Sequence, residues 1–157
     1  MSEADPNASV RHRPDRPRKF LVVVDKTPEA KIALRFAARR AQHTGGHVTL
    51  LCVALPADFQ QWKGVEEIMK DEAHQEAEGL IYAAAKQVND LTGIVPELII
   101  KHGRPDEALK ELLDADKDIS ILVLAASTAK EGPGPLVSLF ARPGAYPIPV
   151  TIVPGSL

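Results

Sequence analysis

The chain has 157 residues, the size of one domain with a short tail. Hydrophobic residues make up 45% and charged residues 25%, as in ordinary globular proteins, and a net charge of −2 gives no field to draw the chain to nucleic acid or an anionic membrane. No apolar run reaches the roughly 18 residues of a membrane span, residues 1–20 lack the apolar segment of a secretory signal, and the single Cys52 excludes an internal disulfide or a multi-cysteine zinc site, so a cytoplasmic domain is expected.

Residues 1–19 form a block of their own. They hold no aliphatic side chain larger than Val10, three prolines (Pro6, Pro14 and Pro17), and five basic residues against three acidic. Such a segment buries too little apolar surface to offset its ordering entropy, so a disordered tail is expected over 1–19, followed by one domain over 20–157. The cluster Arg11, Arg13, Arg16, Arg18 and Lys19 reads as a solvated basic face, with an acidic partner as the alternative.

Beyond the tail two hydrophobic periods alternate. Residues 20–24 (FLVVV) are a continuous β-branched and aliphatic run, the signature of a strand buried on both faces. Thr27 and Pro28 then offer a cap and a first-turn proline for a helix carrying Ile32, Phe36, Ala37 and Ala41, which Gly45-Gly46 ends. Residues 47–54 (HVTLLCVA) read as a second strand. After a loop from 55 to about 64, a long helix carries Ile68, Ala77, Leu80, Ala84, Val88 and Leu91 on one stripe and stops at Gly93. Residues 97–101 (ELIIK) are a third strand. Pro105 opens a helix with Leu109, Leu112 and Leu113, and Asp106 and Glu107 suit its positive end. Residues 119–125 (ISILVLA) and 150–153 (VTIV) read as the fourth and fifth strands.

Strands separated by helices imply right-handed crossovers and a parallel sheet covered on both faces. The fold class is therefore α/β, a three-layer sandwich of five strands. In the order 3-2-1-4-5 the topological switch lies between the first and fourth strands, and ligands bind outside the carboxyl ends there. That directs attention to residues 25–28 and 125–135.

Familiar chemistry is missing from those segments. The phosphate-loop pattern GxxxxGK[ST], a GxGxxG after the first strand and a GxSxG elbow are all absent. His43 and His47 have the spacing of two helical metal ligands, but Gly45-Gly46 between them splays the side chains apart, so no metal is expected. His12, His74 and His102 stand alone and read as surface residues. Cys52, flanked by Leu51 and Val53, reads as a small buried apolar side chain rather than a nucleophile. Phe59 and Trp62 read as packing over the open end of the sheet. Asp25 has two readings of equal weight: an acceptor for a ribose hydroxyl or adenine amino group, or the side chain of an Asx turn or helix cap.

Several segments together resemble the universal stress protein family over residues 20–154. They are the aliphatic first strand ending in Asp25, the second strand HVTLLCVA, the phrase KHGRPDEA over 101–108, the fourth strand ILVLA, and the close PIPVTIV over 147–153. The resemblance implies an adenine-nucleotide alpha-hydrolase-like sandwich, of a kind that often dimerises through its last strand. It also implies two subgroups. One binds ATP through a G-x-x-G, nine residues, G-[ST] motif after the fourth strand, with the first-strand Asp and a second-strand Val on ribose and adenine. The other lacks the motif and is not known for nucleotide binding.

Asp25 and Val53 match the ribose and adenine positions, whereas Ala125-Ala-Ser-Thr128 stands where G-x-x-G belongs and Pro135-Leu-Val-Ser138 near the G-[ST]. Pro133 and Pro135 each remove a backbone donor from that loop. A hydrogen bond to a charged group contributes about 1.5–3 kcal/mol, so losing two or three weakens binding roughly 100-fold or more. Ser127, Thr128 and Lys130 offer partial compensation. The expectation is a non-catalytic stress-response protein acting through association with an unidentified protein partner, a homodimer through residues 149–154, and weak or absent nucleotide binding. The alternative is an ATP- or AMP-binding sensor built on Asp25, Val53, Ala125, Ser127, Thr128 and Lys130. No nucleophile–base pair or metal cluster supports an enzyme on this scaffold.

Overall fold

A computed structural model describes residues 16–54, 63–127, 135–140 and 146–155. The elements are β1 (Lys19–Val23), α1 (Ala30–Thr44), β2 (His47–Ala54), α2 (Lys63–Thr92), β3 (Glu97–His102), α3 (Pro105–Ala115), β4 (Ile119–Ala125), α4 (Pro135–Phe140) and β5 (Val150–Val153). All five strands pair in parallel, in the order β3-β2-β1-β4-β5. This is the expected three-layer sandwich with its switch between β1 and β4.

The strand alternation sorts the core into two layers. Phe20, Val22, Leu50, Cys52 and Val123 point to the face covered by α1 and α2, where Leu34, Ala37, Ala41, Ile81 and Val88 meet them. Leu21, Val23, Leu51, Leu122 and Leu124 point to the other face, against Leu109, Leu112 and Leu113 of α3 and Phe140 of α4. Because both faces are covered, the central strands carry apolar residues at consecutive positions (20–24, 50–54 and 121–125) rather than at alternate ones. Cys52 is 2% exposed and unpaired, in keeping with its reading as core.

Local chemistry explains where elements start and stop. α1 begins at Ala30, three residues after the Thr27 cap expected from sequence, with Glu29 at its boundary and no side-chain cap. Thr27 is held in the turn instead, its hydroxyl and amide donating to Asp25 and its carbonyl accepting from the Ala30 amide. Gly45 ends α1 at φ 69°, a left-handed conformation that only glycine adopts without strain. Gly46 follows where a Cβ would lie 2.7 Å from the Arg18 carbonyl, so the close approach of the α1–β2 turn to β1 demands glycine. α3 opens at Pro105 with Asp106 and Glu107 in its first turn, as expected.

At the amino ends of the strands, Lys19 Nζ lies 2.6 Å from Asp116 Oδ2 and 3.4 Å from Glu97 Oε1, and the buried Thr49 hydroxyl also donates to Glu97. Arg16 adds an ion pair to Asp118. β1 thus starts at Lys19, one residue before the expected domain start, and residues 16–19 are tied to the body by charge. Residues 1–15, which make up most of the expected tail, lie outside the described residues, as do Phe59 and Trp62. α4 was not anticipated: the sequence reading saw only a loop around Pro135. Yet Pro135 opens a short helix that buries Val137 and Phe140. Among the described residues, no helix is long and apolar enough to cross a membrane.

Candidate nucleotide site

The carboxyl ends of β1 and β2 bring two of the expected site residues together. The last paired positions are Val23 with Leu51, and two residues on come Asp25 and Val53. Both are half-buried and line one recess of about 160 Å³, walled by Cys52 and Ala54 of β2 and by Ala73 and Ala77 of α2. On the other side of Asp25 opens a larger cleft of about 750 Å³ between the start of α1 and the middle of α2, with Leu34, Leu80 and Ala84 among its lining. The recess alone is smaller than the roughly 300–1,000 Å³ of most small-molecule sites, and the cleft is within that range. Asp25, Lys26 and Leu80 belong to both.

Asp25 makes the Asx turn. Its Oδ1 accepts from the Thr27 amide at 3.0 Å and from the Thr27 hydroxyl at 2.5 Å. One carboxylate oxygen is therefore committed to the backbone, and only Oδ2 remains to meet a ligand. Lys26 forms an ion pair with Glu76 that joins the β1–α1 loop to α2 over the recess. The sequence reading placed α2 in the core and did not foresee this wall, because Glu76 lies on the polar side of the stripe and no local spacing links it to Lys26.

Cys52 is no nucleophile. Burial first, and the nearby Asp25 carboxylate second, push its thiol up to about 11, so it stays protonated at neutral pH.

The phosphate side is less well furnished. Ala125, at the end of β4, is buried at 4% exposure and offers a methyl group where close backbone approach is needed. The Ala126 N–H, next along, donates to the Val153 carbonyl at 2.8 Å, which completes the β4–β5 ladder and removes that amide from any ligand. Ser127 is half-buried and already has an interaction partner. Thr128, Lys130, Gly132, Pro133 and Gly134 lie outside the described residues. Pro135 heads α4, a position where proline's missing N–H leaves no gap in the helix.

Comparison with known proteins decides the lineage. A sequence model described as the universal stress protein family matches residues 17–137. The chain belongs to this family. Solved universal stress proteins share its fold at low sequence identity. One from Lactobacillus plantarum is 19% identical with a TM-score of 0.72, covering 88% of this chain and 98% of its own. A universal stress protein solved in complex with cAMP is 19% identical with a TM-score of 0.63, covering 90% and 99%. One from Archaeoglobus fulgidus in complex with dAMP is 20% identical with a TM-score of 0.59, covering 87% and 97%. No curated protein matches the sequence. At such identities the likeness establishes the fold of this universal stress protein and leaves its ligand to the chemistry of its own residues.

Proposed function

We propose that this universal stress protein is a non-catalytic, cytoplasmic stress-response protein that acts by association and binds ATP weakly or not at all. The observation that carries this reading is the shortage of donors on the phosphate side. Ala125 replaces a glycine, the Ala126 amide is engaged by Val153, and Pro133 and Pro135 have no N–H. With two or three charge-assisted bonds lost, affinity falls roughly 100-fold or more, which moves a micromolar ligand towards hundreds of micromolar. An equilibrium titration with ATP tests it. Saturable binding below about 10 µM would overturn the reading.

The association surface in this proposal is β5. It is an edge strand, and Ile152 on it is 45% exposed while Val150 and Thr151 are half-buried. An apolar edge with free backbone groups invites pairing, and two copies of one strand laid antiparallel satisfy a two-fold axis. Residues 149–154 would form that seam.

A second reading, an adenosine monophosphate sensor, is favoured by one observation. Asp25 and Val53 line a single recess, and structural relatives were solved with cAMP and dAMP. A monophosphate places less demand on the poor phosphate side than ATP does. AMP saturating at a tenfold lower concentration than ATP would favour this reading.

A further inference from the structure

The two histidines that stand 28 positions apart in the sequence, read there as isolated, meet at the carboxyl end of the sheet. His74 Nδ1 on α2 lies 3.0 Å from His102 Nε2 at the end of β3, with ring planes 14° apart and centroids 5.0 Å apart. On its other side His74 Nε2 lies 2.8 Å from Glu78 Oε1, one turn further along α2. An ionised carboxylate only accepts, so Nε2 of His74 carries a hydrogen. Neutral His74 then presents the Nδ1 lone pair, and His102 donates its Nε2–H to it. One added proton leaves one N–H still facing one lone pair. A second places N–H on both facing nitrogens and leaves no acceptor between two cations.

The pair sits on a stretch of α2 whose described buried side chains are small. His102 is the register partner of Ala54, and His74 follows Ala73; Ala54, Ala73 and Ala77 all wall the Asp25–Val53 recess. Over residues 70–77 the buried side chains of α2 are the two alanines, whereas Ile81 and Val88 anchor it further down. Buried area scales with side-chain size, so methyl groups fix this stretch weakly and polar ties decide its position. Among the described residues these ties include Lys26–Glu76 on the β1 side and His74–His102 on the β3 side. Among the described residues β3 is an edge strand of the sheet.

We propose that His74 and His102 form a pH-sensitive clasp, which holds α2 against the end of β3 at neutral pH and releases it, opening the recess, when both imidazoles are protonated. The sign follows from proton counting. The open form binds two protons on the pair and the closed form at most one, so falling pH favours opening. Imidazole is the side chain whose charge ordinarily changes between pH 5 and 8. Among the described residues, the other charged groups nearby are Glu78, Lys70 and Asp71 on α2, the Lys26–Glu76 pair across the recess, and Lys101 and Arg104 on the β3 side, bound to Glu111 and Asp106. β2 contributes only the uncharged Val53 and Ala54 here.

Cys52 is a built-in reporter, because it is buried beneath Ala73 and Ala77 in the layer that α2 covers. The test is the labelling rate of Cys52 by 4,4′-dithiodipyridine in the full chain, divided by the rate for the urea-unfolded chain at the same pH. This ratio needs no nucleotide, so it stands or falls separately from the ligand readings above. The clasp predicts a rise of about tenfold between pH 7.5 and pH 5.5. In His102→Gln the ratio stays flat, because an amide can either donate to or accept from His74 without titrating. His74→Gln gives the same flat profile and serves if the first variant fails to fold. A flat profile for the native chain, or an equal rise in a folded glutamine variant, overturns the proposal.

Discussion

Replacing Asp25 with alanine should destabilise the chain by about 2 kcal/mol, and replacing it with asparagine by about half as much. The estimate comes from the two hydrogen bonds that Oδ1 accepts, at 3.0 Å from the Thr27 amide and 2.5 Å from its hydroxyl. A bond to a charged group contributes about 1.5–3 kcal/mol, and water can replace part of each one here because Asp25 is only half-buried. Alanine removes the acceptor. Asparagine keeps an oxygen in place, and a neutral bond is roughly half as strong as a charge-assisted one. Urea unfolding followed by circular dichroism reads the difference, with an unchanged m-value showing that the unfolded state is comparable. For a chain of this size, 2 kcal/mol lowers the melting temperature by about 4–8 °C. Equal losses for the two variants, or none for either, would refute the Asx-turn reasoning and return Asp25 entirely to ligand binding.

Three further outcomes follow from the same geometry. Cys52, raised to about 11 in the fold, should make the protein lose about 2–3 kcal/mol as pH climbs from about 9 to about 11, because the unfolded thiol ionises first; a Cys52→Ala variant should lose that slope in urea titrations. Lys19 is held above the ordinary lysine value, since burial alone would lower it but the Asp116 carboxylate, with Glu97 behind it, more than reverses this. Its contribution is therefore full below about pH 10.5 and lost as pH rises through the raised folded value, and Lys19→Met should unfold in less urea at pH 7. Light scattering of the native chain at tens of micromolar should give twice the monomer mass, and Ile152→Pro should shift it towards monomer by deleting a donor at the β5 seam; a native monomer would exclude that seam.

The sheet was legible because both of its faces are covered. Residues 20–24, 50–54 and 121–125 are apolar without interruption, a run that suits a parallel strand buried on both faces. Glycine at 45–46 and proline at 105 marked helix ends for steric reasons that act within a few residues. The start of α1 was misplaced because Thr27 belongs to the Asx turn that Asp25 makes, which the sequence left open. α4 was missed because six residues give too few turns for a periodic signal. In the candidate site, the position of Asp25 followed from topology, and Val53 from the family resemblance of the second strand. Lys26–Glu76 and His74–His102 did not, since each joins segments with no local relation and depends on how α2 lies across the strand ends.

We propose that missing backbone donors, rather than a missing cleft, set the ATP affinity of this universal stress protein. Calorimetric titration of ATP into the native chain and into the double variant Ala125→Gly, Pro133→Gly tests it most directly. The account predicts no saturable binding below about 10 µM for the native chain and a gain of about tenfold or more in the variant, as one or two restored bonds imply. Tight binding by the native chain would contradict it, and so would an unchanged affinity in a variant whose circular dichroism shows the fold intact.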